Sequence, residues 1–204
     1  MPGSEHFDRA AATWDLTDRR VVLAHAVAQA IAARVPLART QSVLDFGCGT
    51  GLVTFELGPR VGSITGADTS PGMLQTLAEK SKALEIPVQL LALDSSGTGD
   101  LGGPYDLIVS SMTLHHVADV PALFRQFARH LRPGGRVALA DLDEEDGSFH
   151  EPTVSIHHRG FPRDRIQSWL GEAGFQEIRL ETAAVTRKQA KDYPVFLATA
   201  RRGE

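Results

Sequence analysis

Apolar residues occur along this chain in two kinds of segment: short unbroken runs, and longer stretches in which they recur at helical spacing. The first kind predicts buried strands and the second predicts amphipathic helices. The strands predicted in this way are 43–46, 61–67, 88–93, 105–110, 137–140, 175–180 and 193–199. Because helical stretches separate most of them, the pattern favours an α/β fold built on a doubly wound, mostly parallel sheet.

The connecting helices are bounded by recognisable turn residues. Gly58-Pro59 follows a first short helix, and Ser70-Pro71 supplies an N-cap and a first helical residue for the next one. Segment 95–104 is rich in glycine and serine and lacks helical spacing, so we expect the crossover helix there to be reduced or missing. The predicted helices between strands are 52–57, 70–82, 119–131 and 166–173.

A helical region, residues 1–36, precedes the first strand. Phe7 and Trp14 are seven residues apart, which places both rings on one side if 7–15 is helical. A second helix is predicted to run to about Val35. The first segment has little besides its two aromatic residues to pack on the core. It therefore either closes over the ligand site as a lid or docks on the surface through those rings.

Composition narrows the class of protein. The length of 204 residues fits one domain, and 42% apolar with 23% charged residues is ordinary for a soluble globular protein. The net charge is −4, without a basic stripe, which disfavours nucleic-acid binding. No apolar run approaches a membrane span, and the N-terminus does not resemble a signal peptide. A single cysteine, Cys48, fits a reducing compartment, so a cytoplasmic protein is expected. The oligomeric state is left open between a monomer and a homodimer.

A glycine-rich turn follows the first predicted strand. Gly47, Gly49 and Gly51 are spaced differently from a dinucleotide-binding loop, which reads G-x-G-x-x-G, because Leu52 stands where the third glycine would be needed. Asp45 just before the turn is a poor neighbour for phosphate but suits a cationic ligand. The loop therefore disfavours a nicotinamide-dependent oxidoreductase, which stays an alternative interpretation of this fold.

Polar side chains end five of the predicted parallel strands. In open α/β sheets, ligands bind beyond the carboxyl ends of the strands, at the point where the strand order reverses. Each residue alone could cap a helix, but together they predict a site at this edge of the sheet: Asp45, Asp68, Asp94, the pair Ser110-Ser111 and Asp141.

Four segments then match a known family in order and spacing. They are VLDFGCGTG, GADTSPGML, YDLIVSSMTLHHVAD and LRPGGRVALAD, and they resemble class I S-adenosylmethionine-dependent methyltransferases over roughly 43–140. The opening FDRAAATWD and the LHHV segment look most like the branch that methylates small molecules. The resemblance implies a single domain over 1–204, S-adenosylmethionine as cofactor, a small-molecule acceptor, and a seven-stranded sheet with an antiparallel terminal hairpin.

The same resemblance assigns the cofactor-binding residues. It places Gly47 and Gly49 along the methionine part and Asp45 near the ammonium group. Asp68 accepts hydrogen bonds from the ribose hydroxyls, Asp94 and Ser95 face the adenine edge, and Ser110 stands below the sulfonium. Met73 either lies against the adenine ring or is simply core. The cofactor-binding set is Asp45, Gly47, Cys48, Gly49, Asp68, Thr69, Met73, Asp94, Ser95 and Ser110.

Two further hypotheses concern catalysis and metal binding. A protein that binds the cofactor without catalysing transfer would keep the carboxylates but need no base. A metal is suggested by the acidic and histidine-rich stretch 141–158, but the spacing is irregular and no metal is expected. The motifs of enzymes that methylate amino groups of nucleic-acid bases are absent, which favours a small acceptor.

The candidate base lies after the fourth strand. A short crossover through the helix 119–131 makes the fourth and fifth strands neighbours, which brings His115 and His116 close to Asp141. A histidine oriented by a carboxylate can remove a proton near neutral pH. Adjacent residues are not expected to face the cleft together. We therefore predict that His116 is the base, ahead of His115, with His150, His157 and His158 next.

Overall fold

Seven strands form a single sheet in the order β3-β2-β1-β4-β5-β7-β6. The structure is a computed structural model and describes residues 4–84, 86–94, 99–151 and 154–203. The first five strands are parallel, β7 is antiparallel to β5, and β6 is antiparallel to β7. The predicted fold class, including the antiparallel terminal hairpin, is confirmed. The strands are β1 Ser42–Phe46, β2 Ser63–Asp68, β3 Gln89–Ala92, β4 Tyr105–Ser111, β5 Leu131–Leu142, β6 Phe175–Lys188 and β7 Lys191–Arg202.

Helices cover both faces of the sheet. They are α1 Ser4–Ala10, α2 Asp18–Arg34, α3 Leu52–Leu57, α4 Pro71–Leu84, α5 Val120–His130 and α6 Arg163–Glu172. Alternate strand residues face opposite layers. Val43 and Val109 pack with α2 and α3, while Leu44 and Ile108 pack with α5 and α6. Burial on both faces explains why these strands are unbroken apolar runs.

Strands β5, β6 and β7 are longer than the apolar pattern predicts. Most of β6 is exposed or half-buried, so no continuous apolar signal marks it, and its pairing with β7 defines it instead. The longer hairpin reaches from Phe175 to Arg202. Its tip brings Lys188 to the same end of the sheet as the carboxyl ends of β1 and β4.

The order of strands reverses between β1 and β4. β1 pairs with β2 on one side and with β4 on the other, and later strands continue outward from β4. A crevice therefore opens beyond the carboxyl ends of these two strands, at the position where such folds bind ligands. Residues 99–104 ahead of β4 contain no helix. None of the helices in the described part of the chain is long and apolar enough to cross a membrane.

Candidate active site

A cavity of about 290 Å³ occupies this crevice. Its walls come from several places in the chain: the N-terminal segment with the first turns of α2, the glycine loop, the end of β2, the loop after β4, residues 149–151 and 154, and Lys188. A larger depression lies beside α6; His157 and His158, the last of the candidate bases, line it, but none of the other predicted site residues does. The cavity at the strand ends is therefore the candidate active site.

The glycine loop needs its glycines for two different reasons. Gly47, Gly49 and Gly51 all have positive φ angles, of 70°, 53° and 87°, which disfavour any side chain. A Cβ atom at Gly47 would in addition lie 2.2 Å from Cγ2 of Thr113, whereas one at Gly49 would meet only Sδ of Met73 at 3.9 Å. Gly49 thus leaves open space at the cavity wall, which lets a ligand approach the backbone.

Two carboxylates, Asp45 and Asp68, make the part of the cavity beside the glycine loop acidic. Asp45 is only 2% exposed, and its Oδ2 accepts a hydrogen bond of 2.6 Å from Thr54 Oγ1. Burial raises its pKa to about 7, although the Thr54 hydroxyl acts in the opposite direction. Asp68 accepts hydrogen bonds from the backbone N–H groups of Gly49, at 2.8 Å, and Ser70, at 2.9 Å. Burial raises the pKa of Asp68 as well, against these hydrogen bonds.

The remaining residues predicted to bind the cofactor fall into three groups. Cys48, Thr69 and Met73 line the cavity, and Met73 is also 2% exposed, so it belongs to core and cavity wall together. Asp94 follows β3 and is exposed, away from the described lining. Ser95 lies outside the described residues.

Ser110 does not face the cavity, contrary to prediction. Its side chain is completely buried, and its hydroxyl donates a 2.9 Å hydrogen bond to the carbonyl oxygen of Phe46. Successive residues of a strand point to opposite faces. Ser111 is therefore the residue of the pair that lines the cavity.

A buried histidine–carboxylate pair lies across the cavity. Asp141 is fully buried at the end of β5, and its Oδ1 lies 2.7 Å from Nδ1 of His115. The backbone N–H of His115 donates to Oδ2 of Asp141. Burial disfavours the charged carboxylate, but His115 and the surrounding hydrogen bonds hold the pKa of Asp141 below its usual value. Among the described residues, no group is hydrogen-bonded to Nε2 of His115.

The expected partnership of Asp141 with His116 is wrong. Nδ1 of His116 instead lies 2.9 Å from the carbonyl oxygen of Ser155, and its ring meets that of Phe7 edge-on at 5.2 Å. Burial, together with the neighbouring His115, lowers the pKa of His116 to about 3. Both histidines line the cavity, because a short 3₁₀ turn, Leu114–His116, aims two adjacent side chains at one space.

His150 adds a third imidazole to this wall. Its ring centroid lies 4.5 Å from that of His115, and its Nε2 is buried without a hydrogen-bond partner in the described part of the chain. Burial, and then the neighbouring His115, lower its pKa to about 4. The sequence analysis ranks His150 below His115 and His116 as a candidate base, because it lies 34 positions after His116 in the chain. No group of three metal-ligating side chains suited to a metal ion occurs among the described residues.

The N-terminal segment lies over the glycine loop and the start of α4. Oδ1 of Asp8 accepts hydrogen bonds from Ser70 Oγ, at 2.5 Å, and Gly72 N, at 2.9 Å. Asp15 accepts from Thr50 Oγ1 at 2.6 Å and forms an ion pair of 2.7 Å with Lys80. Phe7 and Trp14 line the cavity between these two attachments. The contacts of Asp8 and Asp15 could not be predicted from the sequence, because their partners are 35 to 65 residues away.

Comparisons with known proteins agree with this geometry. A family model described as a methyltransferase domain matches residues 17–180. An uncharacterized methyltransferase of Schizosaccharomyces pombe is 35% identical over 68% of this chain and 55% of its own length. Phosphoethanolamine N-methyltransferase 3 of Arabidopsis thaliana is 31% identical over 69% of this chain and 30% of its own length. The matched region thus spans between about a third and a half of these two relatives.

Solved structures share the fold. Phosphoethanolamine N-methyltransferase 2 of Haemonchus contortus, crystallised with S-adenosyl-L-methionine, superposes with a TM-score of 0.68, at 18% identity, over 86% of this chain and 52% of that chain. The chain belongs to the methyltransferase domain family, that of the class I S-adenosylmethionine-dependent methyltransferases. Its cofactor is therefore S-adenosylmethionine rather than a nicotinamide.

Proposed function

We propose that the protein transfers the methyl group of S-adenosylmethionine to a nucleophilic atom of a small molecule. The observation that carries the proposal is the cavity itself, which joins the glycine loop and its carboxylates to the His115–Asp141 pair. Its volume of about 290 Å³ suits a small ligand rather than a macromolecular one. The relatives named phosphoethanolamine N-methyltransferase support the same class of acceptor.

The cofactor is proposed to lie along the glycine loop. S-Adenosylmethionine brings a methyl group already attached to a good leaving group, so the protein mainly aligns the reactants and excludes water. Gly47 and Gly49 would line the methionine part, with Asp45 near the ammonium group and Asp68 at the ribose hydroxyls. Asp94 and Ser95 are proposed for the adenine edge, and Cys48, Thr69 and Met73 for the surrounding wall.

His115 is proposed to be the base that removes a proton from the acceptor. Its Nδ1–H donates to the Asp141 carboxylate, which fixes the tautomer that leaves the Nε2 lone pair available. His116 donates from Nδ1 to the Ser155 carbonyl and has no carboxylate behind it. A buried carboxylate stabilises the imidazolium that forms when His115 takes the proton, so His115 replaces His116 as the first candidate.

A screen for methyl transfer tests this function. The protein would be incubated with S-adenosylmethionine carrying a labelled methyl group and a panel of small molecules with hydroxyl, amine or thiol groups. We expect label to appear in at least one of them, with stoichiometric S-adenosylhomocysteine. Tight binding of S-adenosylhomocysteine without transfer to any member, but with transfer to a protein or an RNA substrate, would contradict the proposal.

Cofactor affinity is expected to depend on pH through Asp45. Because its pKa is about 7 in the free protein, the carboxyl group is largely protonated below that pH. An ammonium group beside it favours the ionised form, so binding releases a proton. The affinity for S-adenosylhomocysteine should therefore rise by up to about tenfold per pH unit towards pH 7 and then level off. Calorimetry in two buffers of different ionisation enthalpy measures the released proton.

The variant Asp45→Asn provides the control for this pH dependence. It keeps an oxygen for the Thr54 hydroxyl but has no proton to lose, so its affinity should stay level between pH 6 and 8. The same carboxyl group affects folding stability in the opposite direction: stability falls with pH where the cofactor affinity rises. A carboxyl group whose pKa is raised in the folded state destabilises that state progressively as the pH rises from its unfolded value to about 7. A pH-independent affinity in the unaltered protein would remove Asp45 from the ammonium site.

The N-terminal segment is proposed to act as a lid. Phe7 and Trp14 line the cavity, and Asp8 and Asp15 attach the segment to the loops beneath it. Deleting residues 2–15 should leave the sheet folded and weaken the binding of S-adenosylhomocysteine about tenfold or more, because the cavity loses a wall that excludes water. Circular dichroism and calorimetry measure the two effects. Unchanged affinity and turnover would show that the segment is only a surface helix.

A further inference from the structure

The far end of the cavity from Asp45 and Asp68 carries the opposite charge. Arg19 and Lys188 line it, and Glu151 is the carboxylate beside them. Lys188 Nζ donates to Glu151 Oε1, at 2.6 Å, and to the carbonyl oxygen of Phe149, at 2.7 Å. Since one carboxylate faces two cations in this part of the lining, positive charge remains in excess.

Arg19 is the cation that remains unpaired. Its Cζ lies 4.9 Å from the centre of the Phe149 ring, and it is half-buried in the first turn of α2. No carboxylate in the described part of the chain forms an ion pair with it, and burial lowers the pKa of its guanidinium despite the more distant Glu151. Removing a charged group partly from water without a counter-charge is costly. An anionic ligand would restore that balance.

The position of Arg19 indicates which ligand it faces. Phe149 is followed by His150, whose ring packs on that of His115. Arg19 therefore lies on the His115 side of the cavity, where the acceptor must present its nucleophilic atom. Arg20 instead stacks on Trp14, at 3.6 Å, next to Asp15 and the glycine loop.

We propose that Arg19, with Lys188 beside it, binds a carboxylate or phosphate group of the methyl acceptor. This inference rests on the proposed function and names its substrate class: a small molecule with an anion at one end and the nucleophile at the other. A guanidinium presents paired N–H donors that match either anion. The Phe149 ring, 4.9 Å from the guanidinium carbon, holds the group at the cavity wall. Excess negative charge at the cofactor end and excess positive charge here also favour one orientation of the acceptor.

The test measures binding to the full chain saturated with S-adenosylhomocysteine. Calorimetric titration would compare benzoate and phenyl phosphate with their neutral counterparts, benzyl alcohol and phenol. At least one anion should bind about tenfold or more tightly than its counterpart, and the stronger of the two identifies the preferred group. Arg19→Gln should weaken that anion about 10- to 100-fold, as expected when charge-assisted hydrogen bonds are lost. Arg19→Lys should recover part of the affinity.

Arg187→Gln is the matched control. Arg187 precedes Lys188 in β6 and carries the same charge, but its side chain is 69% exposed and pairs with Asp192, away from the cavity. Its removal should leave anion binding unchanged. The subsite is overturned if neither anion binds, if the neutral compounds bind equally well, or if Arg19→Gln and Arg187→Gln have the same effect.

A comparison of two cofactor analogues separates the acceptor from the cofactor's own carboxylate. 5′-Methylthioadenosine lacks the amino-acid part of S-adenosylhomocysteine. If Arg19→Gln weakens S-adenosylhomocysteine but not 5′-methylthioadenosine, Arg19 holds the cofactor and the acceptor assignment is wrong. Equal affinities of the variant and the unaltered protein for both analogues are expected. Failure of the unaltered protein to bind S-adenosylhomocysteine at all would instead overturn the proposed function.

Discussion

Replacing His115 with asparagine is expected to lower turnover about 10²- to 10⁴-fold, the usual contribution of a positioned base. Asparagine is chosen because its side-chain N–H₂ can take the place of Nδ1–H and keep the hydrogen bond to Asp141. Alanine would leave a buried carboxylate without its partner, which costs about 3–5 kcal/mol of stability. The asparagine variant therefore removes Nε2 while keeping the fold, and the affinity for S-adenosylhomocysteine should stay unchanged.

His116→Asn is the matched control for this prediction. The same substitution at the next residue keeps the contact with the carbonyl oxygen of Ser155 and removes the other ring nitrogen from the same cavity. We expect a much smaller loss of turnover, because no described carboxylate is hydrogen-bonded to this ring, and burial lowers its pKa to about 3. Steady-state rates measured with an acceptor from the screen decide between them. A large loss in His116→Asn with full activity in His115→Asn would restore the original choice of base.

The sheet could be predicted from sequence because its strands are buried on both faces. In β1 and β4 every residue must be apolar or satisfied by a local partner, which produces the runs around Leu44 and Ile108. The terminal hairpin gave a weaker signal. Val185 is 58% exposed near the end of β6, where backbone pairing with β7 rather than burial holds the strand in place. Polar–apolar pattern therefore located the parallel strands and underestimated the hairpin.

The clustering of the residues proposed to bind the cofactor was predictable for a related reason. Asp45, Gly47 and Asp68 lie at the ends of consecutive parallel strands, so their proximity follows from topology. Topology does not determine which of two neighbouring side chains faces the cavity. Ser110 and Ser111 differ by one residue and point to opposite faces of β4, and the 3₁₀ turn after it decides between His115 and His116. A shift of one position in register, which sequence spacing does not resolve, reverses such an assignment.

The acceptor side could not be predicted, because its residues are distant in the chain. Arg19, Phe149 and Lys188 come from α2, the loop after β5 and the tip of the hairpin. Arg19 and Lys188 are cations of a type common on protein surfaces, Phe149 is one more buried aromatic residue, and nothing in the local pattern marks any of them. The long hairpin, whose length the sequence concealed, is what brings Lys188 to Phe149. The subsite proposed for the acceptor's anion therefore depends on the part of the fold with the weakest sequence signal.

Replacing Asp68 with alanine is expected to weaken S-adenosylhomocysteine by about 1–3 kcal/mol, roughly 5- to 150-fold, because the ribose hydroxyls lose their acceptor. Each carboxylate oxygen already accepts one backbone N–H, from Gly49 and from Ser70, which fixes the side chain at the mouth of the glycine loop. The remaining lone pairs are then available for a ligand. Asp68→Asn should lose nearly as much affinity, since its amide N–H₂ would face one of the two backbone donors. Calorimetry on the folded variants measures both losses.

Asp106→Asn controls for the general effect of removing a carboxylate from this sheet. Asp106 also accepts a hydrogen bond from a backbone N–H, that of Ser42 at 2.8 Å, but it lies near the amino end of β4, opposite the cavity. Its substitution should lower the melting temperature through the lost Ser42 and Arg132 contacts without changing the affinity for S-adenosylhomocysteine. Asp68→Asn should show the reverse balance, a large loss of affinity with a modest loss of stability. If both variants bind S-adenosylhomocysteine as tightly as the unaltered protein, Asp68 does not contact the ribose, and the cofactor must take a different path across the strand ends.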